Sequence, residues 1–228
     1  MAKHIAVFGS PSSGKSVFSA LIADLISKDK KEVILISGDK IVPMLPFFSK
    51  GKSGLGSLFS NELNSQNIAK AVNILKENTN IGIMAYELKN KKDYTFEQLS
   101  VLSDILDSIV DVIIWDCMSD VNDIFFKFAI YVSNLKVCLI TADLKGLLYY
   151  KTNEEYFCNI NKLIFEGMSK PYSTHEEVSS AIGGFDGVLP FTKELEIYSM
   201  AGDIFLGKTI YHRLYKEALE LTVKKLEV

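Results

Sequence analysis

Gly9-Ser10-Pro11-Ser12-Ser13-Gly14-Lys15-Ser16 is the stretch on which the fold turns. It is a complete GxxxxGK[ST] pattern. An apolar run at 3–8 (KHIAVF) precedes it, and helical periodicity over 15–28 follows, with Val17, Leu21, Ala23 and Leu25 among the apolar positions. Strand, glycine-bounded turn and helix is the context that a phosphate-binding loop requires. Polyphosphate has to be held by backbone N–H groups at close range, which glycines permit, and the helix N-terminus adds its positive dipole end. Lys15 is expected to bridge the β- and γ-phosphates, and the Ser16 hydroxyl to ligate Mg²⁺. Pro11 fits a rigid turn where no amide donor is needed. The fixed positions would arise by chance in roughly one chain in a hundred of this length, and the flanking strand and helix lower that further. Gly9 through Ser16, with Val17 behind them, are the candidate nucleotide contacts.

Outward from this loop, strands and helices alternate along the chain, which predicts a mostly parallel sheet with helices on both faces. Strands are predicted at 3–8, 32–37, 80–86, 112–115, 136–140, 160–165 and 186–190. Helices are predicted at 15–28, 64–77, 95–110, 122–133, 146–157, 174–182 and 207–226. The 64–77 assignment rests on Ile68, Val72 and Leu75 at i, i+4 and i+7. Residues 43–61, with Pro43, Pro46, Gly51, Gly54 and Gly56, read as one long loop. No internal repeat is visible, and residues 1–228 read as a single domain.

The 228 residues are 48% hydrophobic and 23% charged, enough to bury a sizeable core. A net charge of −3 and a pI near 5.7 argue against bulk electrostatic binding of nucleic acid. The longest apolar run, 124–132, is short and carries Lys127, so no span of a bilayer is expected. Met1 leads straight into a strand, with no room for a signal peptide. Cys117, Cys138 and Cys158 show neither disulfide nor zinc spacing, so a cytoplasmic setting is expected.

A second anchor is Asp116, closing the apolar run Val112-Ile113-Ile114-Trp115. At the end of a strand beside the loop it would hold Mg²⁺; elsewhere such an Asp merely caps a helix. Asp39 reads either as a carboxylate orienting the attacking water or as a turn residue, and Asp120 either as part of a second switch loop or as a helix cap. Guanine is disfavoured, because Asn161-Lys162-Leu163-Ile164 lacks the acid of an Asn-Lys-x-Asp element and Asp116-Cys117-Met118-Ser119 lacks the glycine of a DxxG switch. A small-molecule kinase would close an arginine-rich lid, and Arg213 is the only arginine in the chain. That alternative stays open, as does a nucleotide-binding scaffold without useful turnover.

On these residues the chain resembles the MinD/ParA superfamily of dimer-forming ATPases, and within it the TadZ/CpaE pilus-assembly branch. The resemblance also rests on Asp39 with Pro43-Met44-Leu45-Pro46, on Gly54-Leu55-Gly56, on Thr141-Ala142-Asp143-Leu144-Lys145-Gly146 and on Gly187-Val188-Leu189-Pro190-Phe191. It implies ATP and Mg²⁺ as cofactors, with Lys15 and Ser16 on phosphate and metal and Asp116 on metal. Asp39 would position water, and Pro190 to Lys193 would lie near adenine. It further implies an ATPase that forms an ATP-dependent homodimer and engages a protein partner or surface until hydrolysis releases it. Slow hydrolysis is expected from the missing signature lysine. Two positions depart from the family pattern. Ser10 stands where a signature lysine reaches across the dimer, and Ser37 replaces the first Asp of a DxD. Lys40, Lys50 and Lys52 are candidate substitutes for the missing lysine.

The remaining features read as structural. His4, His175 and His212 have no triad partners by spacing, Trp115 reads as core, and Phe125, Phe126, Phe128 and Tyr131 read as core plus an interface face. Glu154-Glu155 and Lys91-Lys92 read as solvated charge. The tail carries an apolar stripe of Tyr211, Leu214, Tyr215, Ala218, Leu221 and Leu226. Its charges, Arg213, Lys216, Lys224 and Lys225 against Glu217, Glu220 and Glu227, nearly balance. A membrane-surface helix is richer in Lys and Arg, so the tail is expected to close the domain rather than insert into lipid.

Overall fold

Alternation along the first strand already divides the core into two layers. The computed structural model describes residues 1–48, 53–75, 78–157, 160–166, 174–191, 213 and 215–226. In β1 (Lys3–Gly9), Ile5 and Val7 point to one layer while Ala6 and Phe8 point to the other, as the two-residue period of a strand dictates. The other strands are β2 (Val33–Ser37), β3 (Asn73–Ile74), β4 (Ile81–Ala85), β5 (Val112–Asp116), β6 (Leu135–Thr141), β7 (Asn161–Phe165) and β8 (Gly187–Leu189). They form an eight-stranded sheet in the order β3-β4-β2-β5-β1-β6-β7-β8. All pairs are parallel except β3 with β4.

Among the described residues the helices are α1 (Lys15–Ser27), α2 (Leu45–Phe48), α3 (Leu55–Phe59), α4 (Ser65–Ala71), α5 (Phe96–Leu106), α6 (Ile124–Val132), α7 (Leu144–Thr152), α8 (His175–Ile182) and α9 (Lys216–Lys225). Helices α1, α2 and α9 bury their apolar residues in the layer with Ile5 and Val7, and α3 to α8 in the layer with Phe8. Helices therefore cover both faces, and the mostly parallel α/β architecture expected from the sequence is the observed one. A capping box starts α5, with Thr95 and Gln98 exchanging side-chain and backbone bonds.

Two segments differ from expectation. Residues 64–77 are not one helix: α4 stops at Ala71, Val72 turns extended, and β3 pairs antiparallel with β4. Ile68 and Leu75 are buried in opposite layers, which a single helical stripe cannot achieve. Gly82 makes room for the turn, since a Cβ there would lie 2.7 Å from the Val72 side chain. The 43–61 stretch is not one loop but carries α2 and α3, and Glu87 accepts from the Gly56 and Ser57 amides at the start of α3. Residues 49–52, including Lys50 and Lys52, lie outside the described residues, as do 76–77.

Smaller shifts are at element ends. Helix α5 ends at Leu106, where Asp107 turns to His4. The 146–157 helix starts earlier, at Leu144, and breaks at Asn153 into a 3-10 turn at Glu154–Tyr156. In the tail, α9 begins at Lys216, while 207–212 and 214, with Tyr211, His212 and Leu214, lie outside the described residues. The buried stripe of α9 is Tyr215, Ala218, Leu219, Thr222 and Leu226, with Leu221 only half-buried. Lys225 is held by Asp186 at 2.8 Å, so one of the tail's cations is bound to the domain. Among the described residues no helix is long and apolar enough to cross a membrane.

Candidate functional site

Sheet register assembles the site. β5 lies between β2 and β1, and Asp116 pairs with Ser37 on one side and Val7 on the other. The loop that follows Val7 therefore curls directly over Asp116. Gly9 has φ +144°, and a Cβ there would collide with the Leu139 carbonyl of β6. Gly14 caps α1 in the left-handed region at φ 78°, and Ser12 also has positive φ at 60°. These turns aim the start of α1 at a cavity of about 400 Å³. Pro11, Ser12, Ser13, Gly14, Lys15, Ser16 and Val17 line it from the loop, and Asp39, Val42 and Met44 from the segment after β2. Asp116, Cys117, Met118 and Ser119 form the remaining wall.

Asp116 is 2% exposed and surrounded by hydroxyls. Ser16 and Ser37 each donate to its Oδ2 at 2.8 Å, and Ser19 approaches Oδ1 at 3.5 Å. Burial raises its pKa to about 6, against the pull of the Ser37 and Ser16 hydroxyls and the Lys15 charge. Lys15 Nζ donates to the Ser10 carbonyl and to Ser119 Oγ, each at 2.9 Å. Burial lowers the Lys15 pKa, while Asp116 opposes that shift. The Ser13 hydroxyl is buried on the cavity wall without a hydrogen-bond partner among the described residues. A neighbouring carboxylate and hydroxyl make a hard-oxygen pair of the type Mg²⁺ uses together with phosphate and water. The donors present thus fit a Mg-nucleotide.

Asp39 sits half-buried on the cavity wall, and its Oδ1 accepts from the Ile41 and Val42 amides at 2.9 and 2.8 Å. The turn reading of this residue is the observed one, and its carboxylate also lines the cavity. Asp120 is exposed and accepts from the Asn122 amide, while Asp123 is the residue that caps α6. Ser10 is fully buried, its Oγ accepting from the Thr141 amide at 3.0 Å and lying 3.2 Å from Thr141 Oγ1. Thr141 Oγ1 in turn donates to Asp143, which caps α7. The residue at the signature-lysine position thus ties β1 to β6. Lys40 is engaged by Asp93 at 2.7 Å and lies over the Tyr94 ring.

Pro190 and Phe191 follow β8 and do not line this cavity; Phe191 packs on the layer of α1. Lys193 and Cys158 lie outside the described residues. Arg213 lines a different cavity with Leu25 and Lys28 at the far end of α1, away from the phosphate loop. His4 does have an acidic partner, since its Nε2 lies 2.7 Å from Asp107 and its Nδ1 accepts from Trp115. His175 lies against Glu166 on the surface. Sequence reasoning missed the donors Ser19, Ser37 and Ser119. Their short polar side chains carry no motif of their own: strand register brings Ser37 to Asp116, Ser19 lies one turn of α1 beyond Ser16, and Ser119 reaches Lys15 from the segment after β5.

No protein-family model matches the sequence, and no curated protein sequence matches it. Solved structures do match. A ParA family ATPase from Chlorobium tepidum is 17% identical, with 97% of this chain and 98% of that chain covered and a TM-score of 0.77. MinD from Pyrococcus horikoshii, complexed with Mg-ADP, is 14% identical over 100% of both chains, with a TM-score of 0.74. A protein described as a plasmid partition protein from Borrelia burgdorferi, bound to AMPPNP, is 16% identical, covering 92% and 99%, with a TM-score of 0.66. The fold of this chain is that of the ParA and MinD ATPases.

Proposed function

We propose that residues 1–228 form one phosphate-loop ATPase domain of MinD/ParA type that binds Mg-ATP, hydrolyses it slowly and acts as a nucleotide-dependent switch in the cytoplasm. The observation that carries this reading is the contact of Ser16 with Asp116 at 2.8 Å beside Lys15, on the wall of one cavity at a helix start. Bound Mg²⁺ supplies charge neutralisation of the phosphates. Gly9 and Gly14 let the backbone approach phosphate oxygens, Lys15 adds a cation, and Ser16 and Asp116 are the residues that would hold the metal. Asp39, on the cavity wall formed by the segment after β2, orients water. Structures of this fold described as bound to AMPPNP and Mg-ADP support an adenine nucleotide.

The switch acts as an ATP-dependent homodimer that engages a protein partner, without direct membrane insertion and without nucleic acid. Ile41, in the turn after β2, and Leu144, the first residue of α7 after β6, are 75% and 69% exposed at the phosphate-loop edge of the sheet and give a second copy an apolar rim to cover. The serine at position 10 favours the pilus-assembly branch, which the chain resembles in being irregular at the signature-lysine site. The single arginine at the far end of α1 weighs against a kinase with an arginine lid.

Thermal denaturation with millimolar Mg-ATP tests the central claim. The wild-type protein should gain stability and Lys15→Ala should not. No shift in the wild type would overturn it.

A further inference from the structure

We propose that Ser119 discriminates a nucleoside triphosphate from a diphosphate, its hydroxyl turning from Lys15 to the terminal phosphate; this rests on the nucleotide-binding reading above. The Lys15 ammonium has three donors, and Ser10 O and Ser119 Oγ engage two of them at 2.9 Å. A terminal phosphate bound by Lys15 must sit against that same nitrogen. Ser119 Oγ is already one hydrogen-bond length from it, so an oxygen of that phosphate falls within reach of the serine O–H. Among the described residues the Ser119 proton has no acceptor, and it is therefore available to a phosphate oxygen.

The loop holds Ser119 in place for this exchange. Residues 116–119 run along the cavity wall. Beyond them Asp120 takes the Asn122 amide, and Asp123 both caps α6 and accepts from the Tyr94 hydroxyl at 3.1 Å. At the other end the Cys117 amide donates to the Val7 carbonyl at 2.9 Å, so rotation of one hydroxyl suffices and the loop need not move. A diphosphate lacks the terminal group and leaves the Lys15–Ser119 bond intact. The serine therefore contributes to one ligand and not to the other.

The test is calorimetric titration of Mg-ADP and Mg-AMPPNP into wild type, Ser119→Ala and Ser119→Thr, with thermal midpoints recorded without nucleotide. Loss of one hydrogen bond to a charged group should lower the AMPPNP-over-ADP preference by about tenfold in Ser119→Ala. ADP affinity should hold or tighten, and Ser119→Thr should keep the wild-type ratio. An equal loss for both ligands, or an unchanged ratio, would overturn the assignment while leaving nucleotide binding intact. A wild type that binds neither ligand would overturn both readings together.

Discussion

Asp116 keeps a carboxylate out of water among serine hydroxyls, and that has a measurable cost at neutral pH. Its pKa is raised to about 6, so between roughly pH 4 and pH 6 the folded chain binds a proton that the unfolded chain has lost. Stability contributed by this group is present below that window, falls as pH rises through it and stays lost above it. Asp116→Asn should therefore be more stable than wild type at pH 7.5 by about 1–3 kcal/mol, with a smaller gap at pH 4.5. Urea unfolding of both proteins at the two pH values checks this, and equal gaps would count against it. Ser10 offers a second case. Its Oγ accepts from the Thr141 amide in a fully buried position, so Ser10→Lys should lower stability by about 1–3 kcal/mol rather than restore a trans-acting lysine. The phosphate loop was legible because its glycines, lysine and serine act within eight consecutive residues. Ser37 and Ser119 were not, because the first is 79 residues from Asp116 and the second 104 from Lys15, and only tertiary structure joins them.

Among elements, the legible ones are those whose burial is uniform along their length. Strands β1, β2 and β5 are buried on both sides and read as unbroken apolar runs. The segment after α4 misled because Ile68, Val72 and Leu75 mimic one helical face while the chain between them crosses from one layer to the other. Helix α9 was legible as an amphipathic element, but its buried stripe is shifted by a residue or so. Thr222 is buried and escapes an apolar count because its hydroxyl donates to the Ala218 carbonyl one turn back. Leu219, fully buried against α1 and β8, is the anchor of this helix. Leu219→Ala should cost about 2–4 kcal/mol, whereas Lys224→Ala on the exposed face should stay within about 0.5 kcal/mol. Chemical denaturation of the two variants decides whether α9 is part of the domain or an appendage.

For the whole molecule, the strand order puts the phosphate loop and the loops after β2, β5 and β6 along one edge of the sheet. The apolar rim and the cavity share that edge, so a dimer across it would bury nucleotide and rim together. Light scattering should then give a monomer with Mg-ADP and a dimer with Mg-AMPPNP, and Leu144→Asp should remain monomeric in both. With Ser10 buried, no lysine from that position stabilises transition-state charge. Turnover should fall well below about 10 per second and drop further in Asp39→Ala, as a phosphate-release assay would show.

The hydrogen bond from Trp115 to His4 gives the protein a built-in optical reporter. Trp115 is the only tryptophan, fully buried, adjacent in sequence to Asp116, and edge-on to Phe125 and Phe128 at 5.5 and 5.3 Å. Phe125 also abuts Gly38, at the root of the loop that carries Asp39, so a shift of that loop bears on the ring packed against the indole. Native emission should be blue-shifted, as for an indole shielded from water, and its intensity should change when Mg-nucleotide enters. Occupancy of the cavity is thereby readable in unlabelled protein, with His4→Phe as the control that removes the imidazole from the fluorophore's nitrogen.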